Sequence, residues 1–162
     1  MPHISFLRCG IARTPTHPIQ PGHQGAEKAS RQLAYAEGVS LDWESGALAE
    51  GLRCYRNAEF WIAHEHWESV WLRLEEPEKS FLQALIQTTA ALHHVQTGNM
   101  RGAVSLLAKT LRRFENCPEA FGGIDLAPLR EEAGAWLLAL QCGAGARPAA
   151  FPQIRILTTG PR

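Results

Sequence analysis

Residues 57–74, NAEFWIAHEHWESVWLRL, carry three of the chain's five tryptophans and two of its seven histidines within about five helical turns, and their reading decides the fold around them. At about 100° per residue, Phe60, Trp67, Trp71 and Leu74 fall on one side of a line and Trp61 and Leu72 on the other, which makes one wide apolar face. His64 and Glu68 lie in the middle of that face, four residues and one turn apart, so imidazole and carboxylate can meet. The expectation is a buried His–Glu pair aimed at the core, with Trp61, Trp67 and Trp71 packed around it as structural support. A lone buried charge is strongly disfavoured. The pair must therefore satisfy itself, meet another polar group, or hold an ion or ligand.

Working outward, Leu48, Leu52 and Tyr55 recur at helical spacing behind Ser45, a residue type that caps helix N-termini, and predict a first helix ending near Asn57. Pro77 in EEPEK disfavours helix at Glu76 and stops the second. A third helix is predicted from Glu78 to about Thr97, with Phe81, Leu82, Leu85, Leu92 and Gln96 on one face. Gly98 and Asn99 end it, and Ala103, Leu107, Leu111 and Phe114 mark a fourth. NCPEAFGGID reads as a loop from which Asp125 caps a fifth helix, with Pro128 in its tolerant first turn and Leu129, Trp136 and Leu140 turned inward. No period-2 alternation rises above this pattern. The reading is an all-α single bundle of about five antiparallel helices over residues 41–142, after a flexible leader at 1–40 and before an extended tail at 143–162 whose IRIL run either lies against the bundle or stays loose.

Short connections set the third helix antiparallel to the second, and Gln83, Ile86, Ala90 and His93 form one stripe on it at spacings of three and four. The inferred polar cluster is His64, Glu65, Glu68, Gln83 and His93, with Glu65 at the edge of the apolar face. His66 falls on the opposite side and His94 points away from the stripe. In zinc-binding HExxH two histidines one turn apart hold the metal; here the second position is Glu68, so HExxE offers a histidine and a carboxylate, and His93 is the third candidate ligand. A divalent metal is the implied cofactor of that reading. The bland reading is a hydrogen-bonded pair that fixes how two helices pack.

Sixteen basic residues balance sixteen acidic ones, so no global field attracts nucleic acid or an anionic membrane. Apolar residues make up 45% of the chain and no run approaches the roughly 20 that span a bilayer. Cysteines 9, 54, 117 and 142 are scattered, without CxxC, and read as reduced thiols of a cytoplasmic protein. The partner stays open, with another copy of the chain or a different protein as the candidates.

HExxExxW at His64, Glu65, Glu68 and Trp71, Leu82–Gln83, Ala91–Leu92–His93 and the Gly98 turn together resemble the small helical family catalogued as domain of unknown function 309, over roughly residues 45 to 140. Ala84 stands where that family usually has glycine. The resemblance implies a compact α-helical fold and says little about activity.

Two functional readings follow. In one, the His/Glu cluster binds a small ligand or divalent metal and supports hydrolase-like chemistry, with His64, Glu68 and His93 as ligands or acid–base groups, Glu65 as a proton-transfer residue and Gln83 as an orienting donor. In the other, the chain is a non-enzymatic helical interaction module, faintly like tetratricopeptide-type repeats, and the His/Glu pair is purely structural.

Overall fold

A computed structural model describes residues 41–143 and 147–157; the leader expected at 1–40 and the remainder of the tail lie outside them. Among the described residues five helices carry the fold, as the periodicity predicts: α1 (Gly46–Arg56), α2 (Phe60–Trp71), α3 (Glu78–Gln96), α4 (Met100–Phe114) and α5 (Leu126–Cys142). Each packs chiefly on its neighbours in sequence. Among the described residues no helix is long and apolar enough to cross a membrane.

The helix ends follow from local chemistry. Asn99 accepts from Gly102 N (3.0 Å) and Asp125 from Ala127 N (3.3 Å), so two orphan donors of α4 and α5 are satisfied. Ser45 does stand at the N-cap of α1, but its hydroxyl makes no capping bond there and donates to the Asp42 carboxylate instead. Asp42 also accepts from the backbone N–H groups of Glu44 and Ser45 (2.9 and 3.1 Å), and these bonds hold its carboxyl below the usual range. At the C-terminal end of α4, Arg130 reaches across from α5 and donates to the carbonyls of Phe114, Cys117 and Pro118, placing a cation where carbonyls are left unpaired.

Helices α1 and α2 approach closely because Gly51 has no side chain. A Cβ there would lie 2.2 Å from Nε1 of the fully buried Trp67, whose indole N–H donates to Leu48 O (3.1 Å). Trp67 is also stacked on Tyr55 (5.8 Å between centroids, 25°) and meets Trp43 edge-on (6.0 Å, 85°). This aromatic knot forms the larger core together with Phe60, Phe81 and Leu85. A smaller core of Ala91, Ala103, Leu107, Ala133 and Trp136 joins α3, α4 and α5.

Two segments depart from the sequence reading. The predicted loop NCPEAFGGID contains a tight hairpin, β1 (Ala120–Phe121) and β2 (Ile124–Asp125), turned by Gly122 and Gly123 at φ +59° and +81°, conformations that glycine adopts without steric cost. The described tail contributes β3 (Arg155–Ile156), which pairs antiparallel with β2 and completes a three-stranded sheet of order β1-β2-β3. Strands of two residues are too short to show alternation in the sequence. Of the two alternatives read for the tail, its described part takes the one against the bundle: the Tyr55 hydroxyl donates to Pro152 O (2.7 Å), Trp136 Nε1 donates to Ala150 O (2.9 Å), and Phe151 sits between Phe60 and Trp136. It thereby ties the first hairpin of helices to the last helix.

Candidate metal centre on α2

The apolar arc of α2 is only half used. Phe60, Ala63 and Trp67, spaced three and four apart, are buried at 1%, 0% and 0% exposure and form its inward stripe. Trp61 and Leu72, expected to widen that face, are 52% and 66% exposed. The stripe is centred on Ala63 because a small side chain lets the neighbouring helices come close, a role that a count of large apolar residues overlooks. Its centre is therefore displaced from the expected one, and the His–Glu pair moves to the rim.

His64 is mostly buried, its side chain 17% exposed, while Glu65 and Glu68 are exposed at 57% and 49%, so the expected buried pair is buried only at its histidine. His64 Nδ1 lies 3.4 Å from Glu65 Oε1 and 3.9 Å from Glu68 Oε2. Nδ1 itself is shielded from solvent and has no hydrogen-bond partner. Local geometry explains the triad: Glu68 stands one helical turn beyond His64, and the long Glu65 side chain reaches round from the adjacent position. One ligand atom from each of the three residues falls within 4.8 Å of the others. One imidazole nitrogen and two carboxylates form a donor set suited to a divalent cation of zinc or manganese type.

The other predicted members lie elsewhere. Helices α2 and α3 run antiparallel, as three contacts show: Gln96 Nε2 donates to Ala58 O (2.8 Å), His93 meets Trp61 (5.5 Å between centroids) and Lys79 Nζ lies 5.2 Å over the Trp71 ring. His93 therefore stands level with Trp61 near the start of α2. Gln83 precedes it by about three turns, roughly 15 Å along the axis, and is level with the far end of α2, so it is not part of the triad. Trp61 contacts both imidazoles, stacked on His64 (5.1 Å, 4°) and tilted against His93 (5.5 Å, 45°). Read in the sequence as core support, Trp61 is instead the aromatic wall of the site. Its place at the edge of the apolar arc was the available signal. Trp67 is fully buried and Trp71 partly buried against the core. His94 turns toward the α3–α4 connection, its Nδ1 3.3 Å from Asn99 Nδ2.

Residues 48–106, from α1 into α4, match the family model described as "Domain of unknown function (DUF309)". The match contains the whole triad and His93, and it bears out the resemblance read from HExxExxW over a shorter stretch than expected. An "Uncharacterized protein" of Aquifex aeolicus (strain VF5) is 33% identical over 93 residues, 57% of this chain. The chain spans 28% of the length of that relative.

Proposed function

We infer that α2 carries a surface site for a divalent metal ion, held by His64, Glu65 and Glu68. The observation that carries the reading is His64 Nδ1: a shielded imidazole nitrogen without a hydrogen bond, with two carboxylates 3.4 and 3.9 Å away. Buried polar atoms are normally satisfied, and a cation between nitrogen and carboxylates would satisfy all three groups at once. Ligand bonds of about 2.0–2.2 Å require donor atoms roughly 3 Å apart, so small rotations of the two exposed carboxylates complete the geometry.

Three protein donors leave coordination positions open toward solvent. A site of that kind activates water or polarises a carbonyl or phosphoryl oxygen, which is the chemistry of metal-assisted hydrolysis. His64 and Glu68 would be the principal ligands, with Glu65 either a third ligand or the base beside a bound water.

The test is calorimetric titration of untagged, chelator-free protein with zinc and manganese, beside His64→Ala and Glu68→Gln. Saturable binding at one ion per chain, abolished in His64→Ala and weakened in Glu68→Gln, is expected. Binding unchanged in both variants, or absent from the wild type, sinks the reading and turns attention to protein partners for the exposed Trp61 and Leu72.

A further inference from the structure

We propose that the outer face of α2 pairs with the same face of a second copy of the chain, antiparallel and joined through divalent ions. The proposal rests on the reading of His64, Glu65 and Glu68 as metal ligands.

Trp61, Glu65, Glu68 and Leu72 follow one another at spacings of four, three and four, and at about 100° per residue they fall within about 60° of one another. They make one stripe along the helix. All four are exposed, and Leu72, at the C-cap, keeps helical backbone angles (φ −57°, ψ −23°). Helix α2 packs chiefly on α1 and α3, so among the described residues no other helix covers this stripe.

The order of residue types selects the partner. The stripe reads apolar, acidic, acidic, apolar, and its outer and inner pairs share one centre, between His66 and Trp67. A second copy laid antiparallel across that centre sets its Leu72 opposite Trp61 and its Glu68 opposite Glu65, and the two-fold axis repeats both contacts. A large indole then meets a smaller leucine at each end, which keeps the helices evenly spaced, and the two helix dipoles oppose each other.

Without ions this pairing fails, because carboxylates face carboxylates and like charges placed together across an interface repel. A divalent ion on each copy cancels the charge of Glu65 and Glu68. Those two residues and His64 fill three positions on the ion, and a fourth faces outward, toward the second copy. A carboxylate has two oxygens, so a glutamate that holds one ion with the first reaches the neighbouring ion with the second. The apolar ends alone are too small to hold the pair. Eleven residues give roughly 16 Å of helix about 10–12 Å wide, on the order of 200 Å². A stable interface covers about 800 Å² on each partner. Association is therefore tied to the metal.

Sedimentation of the full chain with zinc, with manganese and with chelator tests the pairing, and calorimetry on the same samples reads ion binding. The wild type is expected to be a dimer with either metal and a monomer in chelator. Leu72→Gln, an exposed position outside the ligand set, should still bind one ion per chain but dimerise at least about tenfold more weakly, because an apolar contact made twice is lost. Leu138→Gln, an exposed leucine of α5, should dimerise as the wild type does. A wild type that binds the ion and stays monomeric overturns the pairing, leaves the three-ligand site standing and gives the face to another occupant. A dimer that persists in chelator, or that Leu72→Gln leaves unweakened, places the interface elsewhere and also overturns it. No ion bound by the wild type overturns the three-ligand reading and this proposal together.

Discussion

The indole of Trp61 lies flat on the imidazole of His64, the two ring planes 4° from parallel, on the solvent side of a helix whose next tryptophan, Trp67, is wholly buried. One helix thus presents two tryptophans with opposite roles. Trp67→Ala removes a buried indole, a stack and a hydrogen bond, and should cost about 3–5 kcal/mol. Trp61→Ala removes a half-exposed ring and should cost no more than about 1 kcal/mol. Urea denaturation of the two variants measures the contrast, and equal losses would contradict the assignment of their faces.

Substitution at Gly51 sets helix propensity against packing. Alanine in a helix interior is favoured over glycine by about 1 kcal/mol. At Gly51, however, the new Cβ would overlap the Trp67 ring, with Nε1 at 2.2 Å and Cδ1 at 2.4 Å, and a fully buried indole has nowhere to retreat. Overpacking of this kind costs about 1–3 kcal/mol, so Gly51→Ala should be net destabilising. Gly134→Ala in α5 meets nothing within 4 Å and should stabilise by up to about 1 kcal/mol. Thermal denaturation of both variants tests the pair of signs.

The tail is held by Tyr55, whose hydroxyl donates to Pro152 O at 2.7 Å. Tyr55→Phe should cost about 1 kcal/mol and free the tail at Pro152. The change also has a pH signature. Burial, with the nearby Glu132 adding to it, pushes the Tyr55 phenol well above its ordinary value of 10.0. The neutral phenol belongs to the folded state, so its contribution is fully present below 10.0 and is lost as pH rises beyond it. The stability gap between wild type and Tyr55→Phe should narrow on the alkaline side, as read by denaturant titration on either side of that value.

Asp42 predicts the opposite limb. Its carboxylate accepts from Ser45 Oγ and from the N–H groups of Glu44 and Ser45, and these bonds hold its pKa below the ordinary 3.8. A depressed carboxyl contributes stability above the unfolded value and loses it as pH falls through the folded one. The difference between wild type and Asp42→Ala should be constant above 3.8 and shrink as the solution is acidified below it. A difference that grows in acid would refute the hydrogen-bonded carboxylate as its source.

The sequence by itself determined what local chemistry determines. Apolar residues at spacings of three and four mark all five helices, Asn99 and Asp125 cap the helices predicted to follow them, and His64 and Glu68 meet because four residues make one turn. Only the tertiary structure decided how much of the α2 arc is covered. A helix shows its apolar residues in sequence, but which of them are buried depends on where its neighbours sit, and the close approach at Gly51 goes with Phe60, Ala63 and Trp67 turned inward and Trp61 and Glu68 left outside. The same limit hid the tail. Tyr55 and Pro152 are 97 positions apart, and the strands that pin the tail are two residues long, so nothing local marks the contact. Gln83 and His93 share one stripe of α3 in sequence, but the antiparallel register gives them different neighbours, and that register is fixed by packing over the whole length of two helices rather than by any single turn.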